Sequence, residues 1–357
     1  MSEMKGEAGG KGRNSKSTTL RAKERSGNGE SIQLSALYGF VRGRQLEGTY
    51  PADPTIGIWP ETALRVGYGW GCVPEHDWPY VESRNWPPTE PPNLDMMAKQ
   101  FRLTCYQRIR SLEECKLALR KCPILAAFEI TNQWRNAKNG VIEVPKPNAE
   151  IIGSHAISVI GYDNQTRSIH IRNSWGEKWG DHGYGWLPYE YFEPHLVSAW
   201  VTYVNPKRWV GKSRPGIIGL NWTLDSILGG KVHVIEFCDF PNNERIGWCF
   251  AIPRDRWLDV EEFFVRPPYR RLGYGRRMGE QLSRLSSQLS LPLRLWIGHA
   301  DANTNNRMAL NQVVQYLGLN LIESEVRWAS YSAKQEEPSN EHVHPRRPSY
   351  PRAPWFS

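Results

Sequence analysis

His155 stands in the run Gly153-Ser154-His155-Ala156, and Asn173 follows in Asn173-Ser174-Trp175-Gly176. An imidazole can take the proton of a serine or cysteine nucleophile, and a third group must then hold its tautomer. A carboxamide does the third job as a neutral acceptor, and the tryptophan beside it can shield that hydrogen bond from water. Both residues fall on consecutive segments with strand character, so a hairpin can bring them together. A second cluster lies downstream, in DVEEFFVRPPYRRLGYGRRMGEQL over residues 259–282. There a strand, a proline break, the turn Arg270-Arg271-Leu272-Gly273-Tyr274-Gly275 and an amphipathic helix follow one another. Small residues let a ligand approach the backbone, and the amides of a helix N-terminus point at an anion.

Composition limits what these clusters can belong to. The chain has 357 residues with 16 Trp and 15 Tyr, which suits two folded, aromatic-rich domains with tails. No stretch reaches the roughly 20 apolar residues of a membrane helix, so a soluble protein without membrane partners is expected. The first thirty residues are polar and basic without an apolar core, unlike a secretory signal. Six cysteines, with no Cys-x-x-Cys pair, suggest neither a disulfide framework nor a zinc site, and a reduced, cytoplasmic protein without bound metal is the expectation. Residues 1–30 carry a net +3 and residues 266–284 a net +5, together the whole excess of +8. An arginine cluster on a glycine-bearing turn fits a phosphate-containing ligand better than a nucleic-acid surface.

The elements that would position the clusters can be read in order. Residues 32–46 have helical apolar spacing. NWPPTEPPNL, residues 85–94, is extended loop. SLEECKLALRKC predicts a helix over 111–122, with Ser111 as N-cap and Glu114 completing a capping box. Strands are predicted in PILAAFEI, NGVIEVP, SHAISVIGYD, SIHIRNSW, GYGWLPYEY and AWVTYV, as an antiparallel barrel or sheet. The expected domain plan is a disordered basic tail over 1–30, a first domain over 31–204, a linker over 205–230, a second domain over 231–332 and a disordered tail over 333–357. The second domain alternates strand and helix, with a helix from Tyr274 to about Leu289 and another in NNRMALNQVVQYLG.

The first domain resembles the papain family of cysteine peptidases. The family's Gly-Gly-His-Ala strand is similar to Gly153–Ala156, and its Asn-Ser-Trp-Gly…Trp-Gly…Gly-Tyr signature to Asn173–Gly176, Trp179-Gly180 and Gly183-Tyr184. The resemblance implies a helical and β-barrel α+β fold, peptide or protein substrates, and His155 and Asn173 as catalytic residues. It also implies a cysteine at the start of a long helix, with a glutamine for the oxyanion hole. No cysteine precedes LSALYGF here, and nucleophile and oxyanion glutamine both read as missing, so the domain reads as incomplete at its N-terminus, with an exposed apolar groove and lower stability expected where that helix would pack. Cys72, in a Gly-Cys-Val-Pro-Glu loop, lacks the helix N-terminus or paired imidazole that a reactive thiol needs.

The second domain resembles the GNAT acyltransferases, a mixed α/β family whose Q/R-x-x-G-x-G/A turn holds acetyl-CoA. That resemblance implies cofactor contacts from Val265, Arg270, Arg271, Leu272, Gly273, Tyr274, Gly275 and Arg276, with Asn306 in the later helix. It also implies a base for a small or protein amine, which Glu261 or Glu262 would supply; strand alternation puts them on opposite faces. Where many members carry an acidic tyrosine stands Val314, with Tyr316 two residues on. The leading expectation is an acetyl-CoA-dependent N-acetyltransferase fused to a proteolytically inactive papain-like domain. The alternative is a papain-like peptidase whose nucleophile segment is missing from the chain, carrying an accessory GNAT domain.

Overall fold

The computed structural model describes residues 32–81, 85–135, 137–204, 216–240, 242–298, 304–325 and 328–332. The tails expected over 1–30 and 333–357 lie outside the described residues.

Two helices begin the described chain. Helix α1 (Ala36–Leu46) is capped by Ser35, whose Oγ accepts from the Tyr38 N–H at 3.0 Å, and α2 (Pro60–Gly69) starts on a proline, where no intrahelical N–H is needed. The buried Arg44 of α1 shapes the loop between them by donating to the carbonyls of Thr49, Ala52, Asp53 and Ile56. The short α3 (Leu94–Ala98) follows the proline-rich loop. Six strands then form one antiparallel sheet: β1 (Cys105–Ile109), β2 (Ile124–Ile130), β3 (Gly153–Asp163), β4 (Ser168–Arg172), β5 (Tyr184–Pro188) and β6 (Leu196–Tyr203), in the order β1-β6-β2-β3-β4-β5. Helices α4 (Leu112–Leu119) and α5 (Tyr189–His195) pack on this sheet. Ser111 caps α4 as its sequence predicts, through Glu114 N–H; the Glu114 carboxylate reaches back to the N–H of Arg110, one residue before the cap.

Two predicted strands differ. In NGVIEVP only Val141 makes a bridge, to Trp186, because the segment runs past the edge strand without a full ladder. GYGWLPYEY turns helical at Tyr189, where Pro188 ends the strand and leads into α5.

The second sheet has seven strands: β7 (Gly216–Asp225), β8 (Lys231–Phe240), β9 (Glu244–Arg254), β10 (Trp257–Val265), β11 (Leu293–Ile297), β12 (Asn320–Glu325) and β13 (Trp328–Ser332). Their order is β12-β13-β11-β10-β9-β8-β7, antiparallel except for the parallel pair β10–β11. The linker expected over 205–230 is therefore cut short: 216–225 is an edge strand whose pairing with β8 runs from Gly216–Phe240 to Asp225–Lys231. Its Ile218, Leu220, Trp222 and Leu224 alternate with polar or small residues, the period of a half-covered strand.

Helix α6 (Tyr274–Leu289) packs one face of this sheet, through Met278 and Leu282, and Val314 of α7 (Thr304–Tyr316) joins the same core. The opposite face belongs to the first half of the chain. Val232, Val234, Trp248, Phe250, Ile252 and Phe264 share a core with Leu64 and Tyr68 of α2 and with Tyr106, Leu125 and Trp200 of the first sheet. The halves thus meet through a common interior. Through this core the second sheet covers α2 and the back of the first sheet.

The acids buried in this seam are met by arginine, tyrosine and tryptophan donors. Arg65 of α2 holds Glu262 at 2.9 Å, and Tyr106 OH donates to the same carboxylate at 2.7 Å. Arg110 reaches Asp259 at 2.6 Å and Glu261 at 3.1 Å. Tyr68 OH and Trp222 Nε1 both donate to Glu236, which is fully buried. Removing one member of a buried pair strands the other charge in a poorly solvating interior. Arg65→Met is expected to cost about 3–5 kcal/mol of stability for that reason. Adding Glu262→Leu should recover part of the loss. Denaturant unfolding followed by tryptophan fluorescence checks both, and the parent should unfold in one transition; two separated transitions would show that the halves are independent.

Candidate active site

The β3–β4 hairpin and the loop after β4 bring the predicted pair together. His155 Nε2 lies 2.7 Å from Asn173 Oδ1. The Ser174 N–H also donates to Asn173 Oδ1, at 2.7 Å, which fixes that atom as the carbonyl oxygen. An oxygen acceptor requires the proton to sit on Nε2, so the lone pair of the neutral ring is on Nδ1. His155 is a base with a defined working atom.

The loop that carries Asn173 is built by glycines at positive φ. Asn173 N–H donates to Gly183 O at 2.9 Å, closing the loop on itself. Gly180 has φ +59°, and a Cβ there would lie 2.3 Å from the Tyr184 carbonyl oxygen, so the Trp179-Gly180 step admits no side chain. Trp175 packs on His155 with the rings tilted by 35° and their centroids 4.6 Å apart, and Trp134 meets it edge-on at 6.3 Å. This aromatic cover shields the part-buried imidazole. Burial lowers its pKa from 6.5 to about 4, against the opposing pull of the Asn173 hydrogen bond.

No thiol of this chain is prepared to attack. Cys72 is held by the Ser35 carbonyl at 3.4 Å and burial pushes its thiol up to about 12. Burial likewise raises Cys115 to about 12 and lifts Cys122 and Cys249. Cys105 and Cys238 are buried. None lies in the electropositive, accessible setting that favours a thiolate.

The downstream cluster divides. Arg271, Leu272 and Gly273 form an exposed turn in which Arg271 and Gly273 have positive φ, and no side chain caps α6, which starts at Tyr274. Gly275 and Arg276 lie in its first turn; Arg276 approaches Glu280 at 3.8 Å. Arg270 Nε donates to Val265 O at 3.0 Å, tying the turn to the end of β10. Asn306 lies in α7, but its side chain is outside the described residues. Parallel pairing of β10 with β11 stops at Val260–Leu295 while β10 runs on to Val265, and a small cavity lies there between Glu61, Arg65, Arg108, Trp200, Glu262 and Trp296.

Glu261 and Glu262 do not alternate as expected. The β10–β9 register shifts between Val260 and Glu262, and such a bulge breaks the two-residue period. Both carboxylates are bound by α2 or by β1 and the residue after it: Glu261 by the Arg108 N–H and by Arg110, Glu262 by Arg65 and Tyr106. Burial raises the Glu261 pKa against the pull of Arg110 and Arg254. Neither carboxylate is turned to an open cleft. Composition alone did not expose Arg65, Tyr106 and Arg110 as their partners, since the contacts span some 150 to 200 residues of sequence. Val314 is packed in the core, and Tyr316 is half-exposed, 3.4 Å from Glu280. No helix among the described residues is long and apolar enough to cross a membrane.

The papain family cysteine protease model matches residues 55–193. The chain is 28% identical over 226 residues to an uncharacterized peptidase C1-like protein of Acanthamoeba polyphaga mimivirus, covering 58% of this chain and 71% of that protein. It is 26% identical over 168 residues to a gut-specific cysteine proteinase of Caenorhabditis elegans, covering 42% of this chain but only half of the nematode protein. The crystal structure of xylellain, a cysteine protease from Xylella fastidiosa, is 27% identical with a TM-score of 0.44, over 49% of this chain and 72% of that one.

His155 should titrate near pH 4 in the folded chain. The unfolded imidazole, with a pKa of about 6.5, takes up its proton across a window in which the folded ring refuses it. Stability therefore falls as the pH drops from about 6.5 to about 4, levels off below, and gains nothing from this group above. Ring-proton NMR gives the midpoint, and unfolding at stepped pH gives the slope. His155→Phe should flatten that part of the slope; a midpoint near 6.5 would contradict the aromatic cover.

Proposed function

We infer that residues 55–193, a papain-family cysteine peptidase domain, carry the acid–base half of peptide hydrolysis. In this reading the attacking thiol is none of the six cysteines of this chain, all of which lie among the described residues. The reading rests on one observation: Nε2 of His155 is committed to Asn173, which leaves Nδ1 as the base.

In this reading the thiol proton passes to His155 Nδ1 and the sulfur attacks the peptide carbonyl carbon. The C–N bond breaks as the imidazolium returns that proton to the leaving amine, giving a thioester. His155 next deprotonates a water, which attacks the thioester and releases the acid and the thiol. Asn173 keeps the ring in one tautomer and accepts from Nε2 while the ring is charged. The aromatic cover disfavours the imidazolium until a thiolate lies beside it, so the charged pair forms only when both partners are in place.

A second reading, acetyl-CoA binding by residues 216–332, is favoured by the divergence of β10 from β11 beyond Val260 and by the uncapped start of α6. The acyl acceptor would be a small or protein amine. Glu261 and Glu262 are poor bases for it, because each is already engaged by arginine.

A cysteine-directed epoxide and a broad peptide substrate test the first reading. Alone, the chain should neither cleave nor be labelled. With an added cysteine-bearing helical peptide, labelling of that cysteine should appear and vanish in His155→Ala. Labelling of Cys72 that depends on His155 would instead place the nucleophile within the chain. Calorimetric titration tests the second reading. Gly273→Val puts a β-branched side chain at φ +86° and should abolish acetyl-CoA binding; equal affinity in variant and parent would remove this site.

A further inference from the structure

Trp134 is held at both ends. Its backbone carbonyl accepts from Trp179 Nε1 at 2.6 Å, within the loop that carries Asn173. Its own Nε1 donates to Tyr191 OH at 2.9 Å, and that hydroxyl donates onward to the Glu129 backbone carbonyl at 2.7 Å. Glu129 lies on β2 beside Phe128, the residue that opposes His155 across the β2–β3 ladder. The Trp134 backbone is therefore tied to the loop of Asn173, its indole is tied through Tyr191 to the strand pair of His155, and the two rings meet edge-on.

We propose that Trp134 and Tyr191 are positioning residues for His155, with the Tyr191 hydroxyl setting the indole that shields the imidazole and keeps it in register with Asn173. The inference rests on reading His155 as the base. Tyr191 is suited to the role because its hydroxyl is buried and both donates and accepts, so neither direction is left for water. It belongs to α5, whose Phe192 also packs edge-on against Phe128, so the helix holds the hydroxyl and the strand together. Trp134 stands in a short 3-10 turn, Asn132–Trp134, where no sheet ladder fixes it. Core packing confines the indole, and the bond from its Nε1 to Tyr191 sets which way it faces.

The titratable groups near this chain of contacts are few. His195 packs on the Tyr191 ring at 4.5 Å and its Nδ1 lies 3.2 Å from the Glu129 carboxylate. Both lie behind Tyr191, and the influences on His155 itself are its burial and the Asn173 bond. A change at the hydroxyl should therefore act on His155 through water access and ring orientation, leaving direct charge effects aside.

The test follows His155 in the full chain by ring-proton and ring-nitrogen NMR, with thermal unfolding alongside. Tyr191→Phe removes one hydroxyl and keeps the packing ring. The expected result is a His155 midpoint raised by about half a pH unit or more, toward the value of a solvated imidazole. A growing share of the Nδ1–H tautomer should accompany it. Trp134→Phe, which keeps an aromatic edge but deletes the indole donor, should move both quantities the same way, and covers the case of an unfolded Tyr191→Phe. Tyr189→Phe is the control, since Tyr189 OH donates to Asn164 and not to Trp134. A His155 midpoint and tautomer unchanged in both test variants would overturn the proposal. The peptidase reading fails separately, if an added cysteine helix is never labelled in the parent chain.

Discussion

Three acids on one strand, Asp259, Glu261 and Glu262, are almost wholly removed from water, and the architecture depends on how they are neutralised. A lone buried carboxylate would cost several kcal/mol, or would protonate instead. Here the counter-charges come from both halves: Arg65 and Arg110 from the first, Arg254 and Arg294 from the second. Burial alone would raise the Asp259 pKa, yet the Arg294 and Arg110 guanidiniums outweigh it and hold the carboxyl below its ordinary range. The same strand lends Phe264 to the shared aromatic core. Charge pairing fixes the register of the halves, while the apolar seam supplies most of the driving force.

The site at His155 follows a different rule. No formal charge balances the imidazole; burial beneath its aromatic cover disfavours the charged ring, and a single carboxamide directs it. Such a base is selective about when it ionises. It gains a proton readily only if an anion arrives beside it, which couples proton transfer to the arrival of a thiolate. The cysteines are set in the opposite way: four are buried and two half-buried, and burial raises the thiols of Cys72, Cys115, Cys122 and Cys249.

Much of this was legible in the chain, for a physical reason. The His155 and Asn173 segments are strands and a tight loop whose spacing is set locally, and glycines such as Gly180 mark the points where a side chain cannot fit. The Ser111 cap and the extent of α6 follow equally from local patterning. What escaped was long-range. Strand β7 shows alternating burial, yet its prolines and glycines upstream suggested a tether running through to residue 230. The bulge at Val260–Glu262 leaves no mark in composition and overturned the expected facing of the two glutamates. Nor could periodicity disclose that α2 and β1 would lie across β8, β9 and β10, because that contact joins segments far apart in sequence.

The middle strands of the second sheet are covered on both sides, by α6 on one face and the first half on the other. Burial is accordingly near-continuous along β8, β9 and β10, where the edge strand β7 alternates. Such strands have no outward face. A polar replacement that would sit harmlessly on β7 must, on β9, enter either the helical layer or the aromatic seam. The boundary suggested by the chain's composition is therefore not a boundary for sequence drift: changes in the second half are constrained by the shape of the first, and the two must vary together.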